Sequence, residues 1–327
     1  MEHKEKNTMV YMSIVAIVAI VAIFGLVVIV SNNTIVSSGG DTAGAAFEIS
    51  KASTEGEIDR EPPCPLLPCH VGAGCISYRP TGEKCSVCVC PKMFYELNEG
   101  SGIDIFDSSE YNNPGIKSGT ANWLDNCSTG GNCLNFNGGN ISTQLKIDQS
   151  SQTSTGATFF VSVQPKPYHG TPNYDWCHSH GGANYCQIIS TDDNGHDWSL
   201  ILNDLGVNGA RFAFFNGNGW IDTDLYADEW HWQHLAIVFD KPNNQVVIFK
   251  DGTRRNYTGL GYDSSTDFLA IGENPGNYDE EYKGWLDNVK IFNEPLPPEA
   301  VCAELSVRKN MAYCWNGANC VLCTNLA

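Results

Sequence analysis

The chain has 327 residues, a formal net charge of −18, and 19 lysines and arginines against 37 acids. That balance argues against nucleic acid as a partner and favours cations or cationic surfaces. With 32 glycines and 14 cysteines, the composition predicts a turn-rich, cross-linked chain with room for one large domain and appendages.

Residues 1–9 carry Lys4 and Lys6, and the next stretch, Val10 to Val30, holds no charge over 21 positions. That length is enough to span a bilayer as a helix. A small-residue cleavage site does not follow at once, because Ser31-Asn32-Asn33-Thr34 stands there. The segment 10–30 is therefore expected to be an uncleaved signal anchor, a single transmembrane helix. No Lys or Arg follows until Lys51, so the positive-inside bias puts residues 1–9 in the cytoplasm and the rest outside the cell membrane.

Residues 31–62, rich in Ser, Gly, Thr and Glu, are expected to form a flexible stalk. Glu57-Ile58-Asp59-Arg60-Glu61 matches the Glu-x-Asp-x-Glu pattern of some retaining glycosidases. That chemistry needs two carboxylates about 5–5.5 Å apart on a rigid strand. In a polar stalk ahead of two prolines nothing holds such a pair, so the motif is not assigned to catalysis.

Residues 63–91 place six cysteines between Cys64 and Cys90. A segment that short needs cross-links in place of a core, and an extracellular setting favours disulfides over a thiolate metal site at Cys85 and Cys88. Its closing C-x-x-C-x-C resembles the end of antistasin-like modules. Further on, the cysteines group as Cys127 with Cys133, Cys177 with Cys186, and Cys302, Cys314, Cys320 and Cys323. Each local group is even, which predicts local disulfides and no free thiol. Sequons at Asn32, Asn126, Asn140 and Asn256 are compatible with an extracellular glycoprotein.

From residue 92 to about 299, short apolar runs recur between Gly, Asn and Asp turns: "CLNFNG", "ATFFVSV", "YCQIIS", "WSLILND", "RFAFFNG", "HLAIVFD", "QVVIFKDG", "FLAIGEN" and "WLDNVKIF". Their spacing, without a convincing amphipathic helix, predicts an all-β antiparallel two-sheet sandwich. In "DEWHWQHLAIVFD", Leu235, Ile237 and Phe239 alternate with His234, Ala236 and Val238, and the turn before "QVVIFKDG" makes a hairpin. Residues 300–327 read as a disulfide-stapled tail.

The opening "YELNEGSGIDIFDSSEYNNPG", the strand "CLNFNGG", the paired "EWHWQHLAIVFD" and "VVIFKDG", and the closing "YKGWLDNVKIFNEPLPPEAV" occur in the order of a laminin-G-like domain. By these motifs the region resembles a laminin-G-like jelly roll of the concanavalin A-like lectin/glucanase superfamily. The resemblance implies that Leu235, Ile237 and Phe239 face the space between two sheets, and that Trp230 anchors the start of its strand. It also implies a structural Ca²⁺ near the sandwich ends, for which Asp107, Asn113 and Asp287 are the candidate ligands.

Cys177-His178-Ser179-His180 with Cys186 and His196 could make a metal cluster, but a Cys177–Cys186 disulfide closing the Gly-Gly loop suits the spacing better. That leaves His178 and His180 available to a ligand. Tyr174, Trp176, Trp198, Trp220 and Tyr278 lie near loops and are expected to line a glycan- or protein-binding rim, since flat rings stack on the C–H faces of sugars. The expected function is extracellular adhesion or binding to a glycan or surface protein, without catalysis. The alternatives are a subunit of a pilin-like filament, built on the apolar N-terminal segment, and a glycoside hydrolase.

Overall fold

The computed structural model describes residue 69 and residues 71–125, 127–128, 130–147, 154–166, 184–191, 198–204, 209–261, 268–275 and 280–325. The segment 10–30 lies outside them; among the described residues no helix is long and apolar enough to cross a membrane.

In the cysteine-rich segment, β1 (Ile76–Tyr78) and β2 (Val87–Val89) pair antiparallel. Disulfides Cys69–Cys88 and Cys75–Cys90 close this small hairpin. There follow β3 (Met93–Tyr95), β4 (Asp104–Ile105), β5 (Gly115–Lys117), β6 (Asn122–Asp125), β7 (Asn132–Asn137), β8 (Ile141–Lys146) and the long β9 (Gly156–Pro165). Next come β10 (Asn184–Ser190), β11 (Trp198–Asp204), β12 (Ala210–Asn216), β13 (Trp220–Tyr226), β14 (Gln233–Asp240), β15 (Gln245–Lys250) and β16 (Thr253–Thr258). After β17 (Phe268–Ile271) and β18 (Lys283–Phe292), the chain ends in helix α1 (Pro298–Lys309) and a hairpin of β19 (Tyr313–Trp315) and β20 (Cys320–Leu322).

Two sheets form the sandwich. The first runs β13-β12-β11-β10-β17-β8-β5-β4, and the second β16-β15-β14-β9-β18-β7-β6 with β3 also on β18. Alternation decides which side chains fill the space between them. Leu235, Ile237 and Phe239 of β14 join Phe159 and Val161 of β9 and Leu200, Phe212 and Phe214 of the first sheet in one buried cluster. Each such side chain contributes roughly 1.5–3 kcal/mol on burial. At the start of β9, Gly156 lies at φ 131, and a Cβ there would meet the Phe239 carbonyl at 1.8 Å. Only glycine lets β9 and β14 close up at that point.

The ring expected to anchor β14 is placed otherwise. Trp230 is 53% exposed and sits at φ 62. It falls before the strand begins, where no pleat directs its side chain inward. Trp198 fills the core instead, fully buried, with its ring 4.8 Å from that of Phe239 and its Nε1 donating to the Gly261 carbonyl at 2.9 Å.

The outward face of the second sheet is covered as well. His234, Ala236 and Val238 point away from the sandwich, and Ala236 and Val238 pack with Phe160, Phe249, Phe292 and the helix residues Ala300, Val301 and Leu305. Ile76 of the cysteine-rich hairpin and the Cys302–Cys320 disulfide belong to the same cluster. Helix α1 begins with proline and Glu299, ends with Arg308 and Lys309, and stops at Asn310 in the left-handed conformation. Those termini suit the helix dipole and the chain reversal. This helix was not foreseen, because it buries a carboxylate, Glu304, within its apolar stripe.

All described cysteines are bonded. Cys127–Cys133 and Cys314–Cys323 are two further pairs, and Cys85 and Cys186 are disulfide-bonded too.

Candidate functional site

The outward face of the first sheet gathers chemistry that packing leaves unexplained. Pairing of β10 with β11, β11 with β12 and β12 with β13 sets Tyr185 beside Asn203 and Asn203 beside Arg211. The same pairing sets Ile201 beside Ala213, Ala213 beside Asp222, and Phe215 beside Trp220. Ile201, Ala213 and Phe215 form a small buried cluster under Tyr185 and Trp220. Those two rings stack at 4.5 Å with 11° between their planes, and Trp220 also meets Phe215 edge-on at 4.8 Å. Asn203 Nδ2 donates to Asp222 at 2.7 Å, and Arg211 Nη2 pairs with the same carboxylate.

Among the described residues, three buried polar atoms on this face have no hydrogen-bond partner: Gln187 Oε1, Ser199 Oγ and Arg211 Nε. A buried polar atom left unpaired is destabilising by roughly 1–3 kcal/mol, so three on one face call for a ligand or water. At the edge of the face, Gln187 Nε2 donates to Glu280 at 2.7 Å and Asn274 Nδ2 to the same oxygen at 3.2 Å. Nearby, burial and then the charge of Glu281 push the Glu273 carboxyl up to about 7. Aromatic plates, an Arg–Asp–Asn ladder and a neutral-leaning acid can stack on a sugar ring and bond its hydroxyls.

The residues expected at the rim divide into two groups. Trp220 takes part in this face. Trp198 does not: it is a core residue, because its strand turns it inward. Tyr174, Trp176, His178, His180, Cys177, His196 and Tyr278 lie outside the described residues, as does the Glu57–Glu61 motif. Tyr185, Gln187, Asn203, Arg211 and Glu273 escaped the sequence reading, since polar residues scattered over four segments carry no local signal.

The three residues expected to hold calcium, Asp107, Asn113 and Asp287, all take part in hydrogen bonds. Asp107 Oδ1 accepts from the N–H groups of Phe94 and Ser109, at 2.8 and 2.9 Å. Its Oδ2 accepts from the Ser109 hydroxyl and the Asn113 N–H, at 2.8 and 2.6 Å. Asn113 Nδ2 donates to the Lys92 carbonyl at 2.7 Å, and Asp287 accepts from Ser128 Oγ at 2.6 Å. Through these four donors Asp107 organises the turn that leads into β5.

One pair resembles a nucleophile and its base. Ser162 Oγ lies 2.8 Å from His234 Nδ1, but Ser162 is 1% exposed and lies beneath α1. The adjoining cavity of about 20 Å³ has room for one water and no substrate. This pair is structural.

No curated protein matches the chain in sequence. Among solved structures, domain 4 of AbnA, an extracellular arabinanase from Geobacillus stearothermophilus in complex with arabinotriose, is 19% identical with a TM-score of 0.48. That match covers 66% of this chain and 97% of that one. The botulinum neurotoxin serotype D binding domain is 14% identical, with a TM-score of 0.46 over 67% of this chain and 50% of its own. Trypanosoma rangeli sialidase is 12% identical, with a TM-score of 0.45 over 65% of this chain and 32% of its own. The laminin-G-like family model described as the Concanavalin A-like lectin/glucanases superfamily matches residues 176–302, and over that segment the laminin-G-like character read from the sequence is shown.

Proposed function

We propose that the chain is a membrane-anchored extracellular binding protein whose sandwich recognises a glycan on the outward face of β10 to β13. One observation carries this reading: three unpaired buried polar atoms, on Gln187, Ser199 and Arg211, beside the stacked Tyr185 and Trp220. Sugar hydroxyls would supply the missing partners while the rings stack on C–H faces. The anchor rests on the uncharged run from Val10 to Val30, with the cytoplasmic end set by Lys4 and Lys6.

A glycan array probed with the detergent-solubilised full chain tests the reading. Binding should appear, and Trp220→Ala or Arg211→Ala should weaken it at least tenfold without lowering the melting temperature by more than a few degrees. Absence of binding across the array, or binding indifferent to both changes, overturns it.

A second reading has one observation in its favour. Glu273, held near neutrality, is a suitable general acid for glycoside hydrolysis, and Glu280 is a carboxylate fixed by Gln187 and Asn274. Release of reducing sugar that Glu273→Gln abolishes would select hydrolysis over simple binding.

A further inference from the structure

The face of β10 to β13 ends at two opposed carboxylates. Two hydrogen bonds tie the segment after β17 to the start of β18. The Tyr282 N–H donates to the Gly272 carbonyl at 2.7 Å, and Asn274 Nδ2 donates to Glu280 Oε2 at 3.2 Å. The first link encloses the second along the chain, so Glu273 and Glu281 lie opposite each other between them. Neither reaches freely into water. Glu273 is 6% exposed and Glu281 is half-buried, and a Cβ on Gly138 would meet Glu281 Oε2 at 2.7 Å.

The elements around Glu273 bring mostly neutral groups. Strand β10 brings Gln187, and the β7–β8 turn brings Gly138 and Gly139, whose carbonyl lies 3.0 Å from where a Cβ on Gly272 would stand. The start of β18 brings Glu280 and Glu281, and Lys283 beyond them has a partner of its own. Burial and then the charge of Glu281 push the Glu273 carboxyl up to about 7. The pair connects to the face through Gln187. Its N–H donates to the Glu280 carbonyl at 2.9 Å, its Nε2 donates to the Glu280 carboxylate at 2.7 Å, and its backbone bridges to Glu281. The unpartnered Gln187 Oε1 is therefore held in place by the residues that oppose Glu273 and Asn274.

We propose that Glu273 and Glu281 share one proton, and that its loss as pH rises frees Gln187 from its fixed position and relaxes the face it serves. The switch rests on the binding reading above only for what that face recognises. With the proton on Glu273, a charge-assisted O–H···O⁻ bond to Glu281 draws the two segments together. Without it, two anions repel across the same gap. The folded chain keeps the proton up to about 7 against an ordinary 4.5. The stabilisation is thus complete below 4.5 and lost as pH climbs to 7. Ligand binding on this face is stronger on the acid side.

Hydrogen–deuterium exchange of the detergent-solubilised full chain, with no ligand added, tests the switch. Corrected for intrinsic rates, protection at the Gln187 and Tyr282 amides should fall about tenfold between about pH 6 and about pH 8. The β14–β15 hairpin should keep its protection over the same range. Glu273→Gln, which keeps a donor and carries no charge, should hold the acid level of protection at the higher pH. Glu281→Gln removes the opposing charge and should move the midpoint to lower pH, so the test survives if the first variant folds poorly. The proposal is overturned if protection at Gln187 and Tyr282 ignores pH, if it falls equally in the β14–β15 hairpin, or if both variants titrate like the parent chain. A glycan array read at both pH values separates switch from ligand. Stronger binding at the lower pH supports the switch, and equal binding at both removes its hold on the face. An array blank at both, with protection changing as expected, overturns glycan recognition and leaves the switch standing.

Discussion

Lys290 on β18 and Glu304 on α1 meet at 2.8 Å with both side chains buried, at 5% and 4% exposure. Arg308 reaches the other oxygen of the same carboxylate at 2.7 Å and continues to Asn288. This triad fastens the C-terminal helix to the outward face of the second sheet, beside the apolar cluster that also holds the cysteine-rich hairpin. Truncating one member leaves an uncompensated buried charge. Glu304→Ala should therefore lower stability by about 3–5 kcal/mol, read as a loss of denaturant midpoint in urea, and Lys290→Met combined with it should recover part of the loss. A change under about 1 kcal/mol for the single variant would show that the triad does not hold the helix.

Stability should fall in acid in two stages. Burial, followed by Lys309 and Arg308, lowers the His234 imidazole from 6.5 to about 4, against the opposing pull of Asp251 and Glu304. The unfolded chain then binds more protons than the folded one between those values, so this stabilisation is complete above 6.5 and drains away as pH falls toward 4. Glu304 extends the loss. Burial opposes its charge, yet Arg308 and Lys290 hold its carboxyl at about 2 against an ordinary 4.5. Its contribution is present above 4.5 and lost as pH falls toward 2. His234→Asn, which keeps a polar partner for Ser162, should flatten the melting temperature between pH 4 and 6.5 and leave the lower slope. An unchanged slope in the upper window would exclude His234 as its source.

Two tryptophans should answer oppositely to removal. Trp198→Ala empties a fully buried site and should destabilise by about 3–5 kcal/mol. Trp230→Ala removes an exposed ring and should change stability by under about 1 kcal/mol, and Trp230→Gly, which relieves the left-handed backbone, should stabilise slightly. Chemical denaturation of the three variants checks the order, and a large loss for Trp230→Ala would contradict its exposure.

The sequons at Asn140 and Asn256 should differ in occupancy. Asn140 is 7% exposed and its side-chain oxygen accepts from the Ser118 hydroxyl, whereas Asn256 is exposed on the edge strand β16. Peptide mass spectrometry of protein secreted from a glycosylating host should find glycan on Asn256 and none on Asn140. Glycan at Asn140 would be incompatible with its packing against Ser118.

The hairpin of β14 and β15 shows what the sequence alone determined. Leu235, Ile237 and Phe239 recur at period two beside a turn, and period two records which face is buried whatever the neighbours are. The same logic located the nine apolar strands, and even local cysteine groups anticipated Cys127–Cys133 and the tail pairs. Strands β8, β13 and β16 escaped because polar residues interrupt them, so that none forms a continuous apolar run. Helix α1 escaped because its buried face includes Glu304, tolerable only once Lys290 from another strand and Arg308 neutralise it. Tertiary structure also decided the exchange of roles between Trp198 and Trp230. A ring inside a strand inherits its direction from the pleat, whereas a ring three residues before a strand takes whatever direction the loop's own hydrogen bonds impose. The candidate surface arises in the same way, from separate strands, since sheet order sets Gln187, Ser199 and Arg211 on one face.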